Sequence, residues 1–164
     1  MNFAPALLLT TILQGNGIQE IKNLADHALH SAEWERRYMG LYFVSRLIDI
    51  DTELDFAQTA IVPALQDPEV KVRAQALWVL HKLVPKNRCL ELAQSEATEA
   101  LTHQDWRIRI AALDLFNVLS DHGLALPAAQ QAVRVCSSDS DEQVQAACVF
   151  LGHKLVNLGV ITAG

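Results

Sequence analysis

A 20-residue pattern recurs four times along the 164-residue chain at a constant spacing of 36 residues. Its copies run 28–47, 64–83, 100–119 and 136–155; the second reads ALQDPEVKVRAQALWVLHKL and the third ALTHQDWRIRIAALDLFNVL. A fixed period of this length marks a stack of supersecondary units, each able to bury its apolar face only against its neighbours. Such a stack offers an extended surface rather than one deep pocket.

The pattern is helical. Apolar residues make up 51% of the chain and charged residues 20%, which fits a packed protein and not a disordered one. Val, Ile and Thr fall within 3.6-residue periods instead of alternating, so the expected fold is all-α. One domain, 1–164, is expected: an α-solenoid (superhelix) of four tandem helical hairpins. First helices are expected near 18–30, 52–66, 87–102 and 126–137, and second helices near 33–48, 68–84, 105–120 and 141–158. Asp67 before Pro68 reads as an N-cap followed by a first-turn proline. One period before 37–47 lie residues 1–11, so 1–14 reads as a capping half-repeat that buries Leu7, Leu8 and Ile12. It lacks the basic start of a signal peptide, and its apolar run is too short for a bilayer.

The three cysteines, Cys89, Cys136 and Cys148, form no CxxC pair. Their odd number fits a reduced cytoplasmic protein better than a disulfide scaffold. Cys136 and Cys148 occupy repeat positions held elsewhere by Ala or Gly, so both read as small core residues. The six histidines are scattered, and no metal, phosphate-loop, dinucleotide or nucleophile-elbow motif is present. No cofactor, metal or catalytic residue is therefore expected.

With positions counted from Ala28, Ala64, Ala100 and Cys136, positions 9, 13, 16, 17 and 20 are almost wholly apolar. They share one arc of the second helix. In the second copy they are Val72, Ala76, Val79, Leu80 and Leu83. Position 13 stays small (Gly40, Ala76, Ala112, Cys148), which lets paired helices approach closely.

The segment Asp67-Pro68-Glu69-Val70-Lys71-Val72-Arg73, with Ala76 and Leu77 behind it, resembles the HEAT-repeat signature. The third copy keeps Ile108-Arg109 and Ala112-Leu113. The first has Arg36 where Val is expected, and the fourth has Gln145 where Arg is expected. The resemblance covers nearly the whole chain and implies architecture rather than function. It further implies that the position-10 arginines, Arg37, Arg73 and Arg109, bond across repeats to turn aspartates as a structural ladder. Asp67 is the chief candidate partner, with Asp105 and Asp139 also in reach.

Positions 7, 11 and 15 lie one above another on the remaining arc of the second helix. They hold every tryptophan and tyrosine of the protein: Trp34, Tyr38, Tyr42, Trp78 and Trp106, together with Asp114 and Phe150. Aromatics confined to one arc fit a binding surface, but they also fit grooves filled between neighbouring helices. Trp34 and Trp106, near helix starts, suit the second role; Tyr42, Trp78 and Asp114 suit the first. Positions 8–20 carry nine basic residues, among them Arg46, Lys71, Lys82, Arg107 and Lys154, against two acidic ones, while the rest of the chain has four against seventeen. The net charge of −6 thus conceals a basic, aromatic face with an acidic back.

The expected function is a non-enzymatic adaptor or scaffold. It would hold an acidic or aromatic-docking protein or peptide on Tyr38, Tyr42, Trp78 and Phe150, with selectivity from Arg46, Lys71, Lys82, Arg107 and Lys154. Asp114 completes this candidate groove. The alternative is a nucleic-acid binder or enzyme. HEAT-like alkylpurine DNA glycosylases hold duplex DNA with tryptophans and an aspartate, which Trp78, Trp106, Asp114 and Lys154 superficially resemble. Other HEAT-repeat relatives are lyases that attach bilins. The acidic total and the few uncommitted cations weigh against both. No membrane partner is expected.

Overall fold

The computed structural model describes residues 17–162; the expected capping segment 1–14 lies outside them. Among the described residues the chain forms eight α-helices, a short 3-10 turn at Val84–Lys86 and no strand. The helices are α1 (Ile18–Leu29), α2 (Trp34–Asp49), α3 (Leu54–Leu65), α4 (Val70–Leu83), α5 (Leu90–Ala100), α6 (Trp106–Asp121), α7 (Leu126–Cys136) and α8 (Glu142–Asn157). Each odd-numbered helix packs on the even-numbered helix that follows it, and α2, α4, α6 and α8 pack each on the next. Val72, Ala76, Val79, Leu80 and Leu83 of α4 are all buried in one core that extends through the stack. Cys136 and Cys148 are unpaired and buried in that core, where burial pushes the Cys136 thiol up to about 11.

Backbone geometry repeats with the sequence. Asp51, Asn87, Gly123 and Gly159, spaced by 36 residues, all take positive φ just beyond the second helices. At each of these ends the next amide bonds back to the last helical turn: Thr52 to Leu47, Arg88 to Leu83, Leu124 to Leu119 and Val160 to Leu155, at 2.9–3.1 Å. This is a left-handed C-terminal cap of Schellman type. Two residues beyond the first three, Glu53, Cys89 and Ala125 are left-handed again. These second left-handed residues delay the following helices, so α3 and α5 start at Leu54 and Leu90 rather than at 52 and 87.

The turns inside the hairpins repeat as well. Asp67 accepts the Glu69 N–H, His103 the Asp105 N–H and Asp139 the Asp141 N–H, each at 2.9 Å, and Ser31 accepts the Glu33 N–H at 3.2 Å. Such side-chain turns hold the chain extended until the N-cap. The N-cap of α4 is therefore Glu69, whose carboxylate accepts the Lys71 N–H, and not Asp67; Pro68 lies outside the helix.

Arginines then tie one hairpin to the next. Arg37 donates through Nε and Nη2 to the Asp67 carboxylate at 2.6 and 2.8 Å, and Arg109 donates to Asp139 at 2.8 and 2.7 Å. Both also satisfy carbonyls of their own turns, Ser31 and Ala32 for Arg37, His103 and Gln104 for Arg109. Each guanidinium holds its carboxyl below the ordinary aspartate range. Arg73 meets His103 instead of a carboxylate, at 3.3 Å. Asp105 belongs to no such rung; it caps α6 and pairs with Arg107.

Gly40 marks the tightest helix contact. A Cβ there would lie 2.9 Å from Leu29 Cγ, 3.0 Å from Leu29 N and 3.1 Å from Ala25 O, so α1 backbone would have to move. Gly40→Ala should therefore lose about 1–3 kcal/mol in urea titration, despite the roughly 1 kcal/mol that alanine adds to a helix. Gly152→Ala meets only Val133 Cγ1, at 3.7 Å, and should gain about 0.5–1 kcal/mol.

Candidate functional site: an aromatic trough over α4

The site rests on the even-numbered helices. Along α4 the exposed arc carries Lys71, Ala74, Gln75 and Trp78, and small Ala74 stands where α2 has Tyr38 and α6 has Ile110. The small residue opens a trough between two taller neighbours. A cavity of about 520 Å³ lies over it, lined by Trp34, Glu35, Tyr38, Met39, Lys71, Ala74, Gln75 and Arg107. A smaller cavity of about 150 Å³ continues from Ala74 and Arg107 to Trp78, His81, Ile110 and Asp114.

The aromatics divide into two kinds. Tyr38 (36% exposed), Trp78 (43%) and Phe150 (64%) reach solvent. Trp34 and Trp106 are half-buried and packed against the core, and Tyr42 is half-buried with its ring edge-on to Phe43. Every tryptophan has a cation over its ring: Lys71 over Trp34 at 4.7 Å, Lys82 over Trp78 at 5.6 Å and Arg107 over Trp106 at 4.8 Å. The Lys71–Trp34 pair crosses from α4 to α2, so this cation is held at the trough. Contacts of this sort are worth about 0.5–1 kcal/mol at exposed sites.

The face is less basic than its sequence window indicates. Asp49 and Asp121 lie just beyond that window, at the ends of α2 and α6. Arg46 and Lys82 both pair with Asp49, Lys82 at 2.6 Å, and Lys154 pairs with Asp121 at 2.6 Å. Where Val118 replaces the cation in the third copy, Pro85 replaces the acid of the preceding one, so apolar follows apolar. Lys154 also donates to the Asn117 carbonyl. Among the described residues Lys71 has no carboxylate partner, and Arg107 pairs only with its own cap, Asp105. Lys71 and Arg107 thus stand at the trough, whereas Arg36 pairs with Glu33 and Arg73 meets His103 outside it.

Two titratable groups at its far end are perturbed. Burial alone raises the Asp114 carboxyl, which has no hydrogen-bond partner among the described residues. Burial first, then Lys82 and Lys154, lowers the His81 imidazole. His81 stacks parallel on Trp78, with centroids 5.1 Å apart and planes 8° from parallel. This ring, together with Met39, Ala74 and Gln75, escaped the sequence reading. The available signals were Ala74 as the one small residue between large ones, and His81 standing three residues beyond Trp78 on the same helix face.

The expected groove residues thus fall into separate groups. Tyr38, Lys71, Trp78, Arg107 and Asp114 line the two joined cavities. Tyr42, Arg46 and Lys82 cluster around Asp49. Phe150 and Lys154 lie on α8 and line neither cavity. No group of His, Cys, Asp and Glu side chains able to hold a metal occurs among the described residues, and no described helix is long and apolar enough to cross a membrane. Comparison of the chain with protein-family models, curated proteins and solved structures gives no match to any of them.

Proposed function

We propose that this chain is a HEAT-like α-solenoid of four hairpin repeats and serves as a non-enzymatic interaction module. It takes a short segment of a partner protein in the trough over α4. The segment presents a bulky apolar or aromatic side chain to Tyr38, Met39 and Ala74, and a carboxylate to Lys71 and Arg107. The carrying observation is the trough itself: an exposed Tyr38 and a half-buried Trp34 as walls, a small floor at Ala74, and at its rim Lys71, which has no carboxylate partner among the described residues, and Arg107, which pairs only with Asp105. An exposed aromatic anchor beside a cation without a carboxylate partner, as Tyr38 is beside Lys71, is the composition of a binding hot spot. Phosphate tracking along nucleic acid has less support, because Arg46, Lys82 and Lys154 are tied to aspartates.

Selection of a displayed random-peptide library on the wild-type protein tests the reading. The enriched peptides should pair an aromatic or large aliphatic residue with Asp or Glu within a few positions. Trp78→Ala and Lys71→Ala should each weaken a selected peptide about tenfold, and Ala74→Arg should abolish its binding in a protein that still unfolds cooperatively. Peptides that bind Ala74→Arg as well as wild type would remove the trough from the account.

A further inference from the structure

The rung at Arg73 is chemically incomplete. A neutral imidazole offers one lone pair and one N–H, yet both His103 ring nitrogens face donors. The Asp105 N–H lies 2.9 Å from Nδ1 and Arg73 Nη2 lies 3.3 Å from Nε2. The shorter contact reproduces the turn made by Asp67 and Asp139, so Nδ1 holds the lone pair and Nε2 carries the proton. Two donors, the Arg73 guanidinium and the His103 Nε2–H, then converge with no acceptor between them. At the equivalent places Arg37 and Arg109 each find a carboxylate.

These donors open onto a cavity of about 240 Å³ at the junction of the second and third hairpins, apart from the trough. On its α5 side stand Glu96 and Glu99, which have no cationic partner among the described residues. Burial and then the neighbouring Glu99 raise the Glu96 carboxyl, a cost that a bound cation relieves. Leu65, Leu77 and Ile108 supply apolar surface. A plain anion would be repelled by the two glutamates and a plain cation by Arg73. The volume lies below the roughly 300–1,000 Å³ of drug-sized sites, so the ligand is small.

We propose that this cavity binds a small zwitterion, an apolar α-amino acid. Its carboxylate accepts from both Arg73 and His103 Nε2 from the cavity side, supplying the acceptor that Asp67 and Asp139 supply at the other rungs, and its ammonium lies against Glu96 and Glu99. The site would couple ligand to structure, because the bound carboxylate completes the tie between two hairpins.

Isothermal titration at pH 7 with L-leucine, L-valine and glycine tests this, with isovalerate and isopentylamine as single-charge halves of leucine. L-leucine or L-valine should bind saturably at one site, and each half should bind at least about tenfold more weakly. His103→Asp supplies its own carboxylate to Arg73, so it should lose at least about tenfold in affinity while melting no lower than wild type. Glu96→Gln should weaken the zwitterion and leave isovalerate no weaker. The proposal is overturned if neither L-leucine nor L-valine binds saturably at millimolar concentration, if glycine binds as tightly as both, if a half binds as well as the whole, or if His103→Asp binds L-leucine like wild type.

Discussion

Asp67→Ala should destabilise the protein by about 3 kcal/mol, the lower end of what breaking a buried ion pair costs. Asp67 is 7% exposed and receives two guanidinium bonds from Arg37 and one backbone N–H from Glu69. Its removal leaves a largely buried guanidinium without its carboxylate and the turn before α4 without its acceptor. The effect stays near the lower end because Arg37 keeps the Ser31 and Ala32 carbonyls. Arg37→Ala combined with Asp67→Ala should cost less than the two separate losses, since the second substitution finds the pair already broken.

The same carboxylates set the acid limb. The folded state holds Asp67 and Asp139 below the ordinary 3.8, so their stabilisation is complete above that value and is lost as pH falls through the depressed one. Glu96 and Asp114 are raised. They bind protons more readily in the folded state, so their contribution becomes more favourable as pH falls towards their unfolded values. Stability should therefore hold between pH 5 and roughly 4 and fall steeply below, and Asp67→Ala should flatten that fall. Urea midpoints across this range check both signs.

The second large effect is expected from Phe116→Ala, about 3–5 kcal/mol. Phe116 is 1% exposed and is the largest fully buried side chain among the described residues. It sits on α6, which packs against α4, α5, α7 and α8. Because α6 is held by four other helices, it cannot shift freely to close the void that the substitution leaves. Phe150→Ala should change stability by no more than about 0.5 kcal/mol, because that ring is 64% exposed. Equal losses at both positions would contradict the assigned core.

Much of this was legible because the repeat multiplies weak signals. One Val-Arg pair means little, but Val72-Arg73 and Ile108-Arg109 one period apart fix which side of the helix is which. Helix ends were less legible for a physical reason. Glu53, Cys89 and Ala125 carry positive φ, a conformation that none of those side chains favours, so only the tertiary turn imposes it. The charge on the aromatic face was overstated because Asp49 and Asp121 fold back onto Lys82 and Lys154 of neighbouring helices, at 33 residues' separation. Which aromatics reach solvent depended on what the neighbouring helix lays over them, which residue type does not encode: Trp78 is exposed, whereas Trp34 lies half-buried beneath Lys71 of α4.

Two of the three arginine rungs end on a carboxylate, Arg37 on Asp67 and Arg109 on Asp139, so an aspartate placed at the third should complete the same tie. His103 occupies the place of Asp67 and Asp139 opposite Arg73. A double-mutant cycle of His103→Asp with Arg73→Ala measures whether that place carries the same tie. His103→Asp should stabilise the protein by about 1 kcal/mol or more, and Arg73→Ala should cost about 1–3 kcal/mol more in that background than in wild type. A coupling indistinguishable from zero, with His103→Asp neutral or destabilising, would contradict a shared tie.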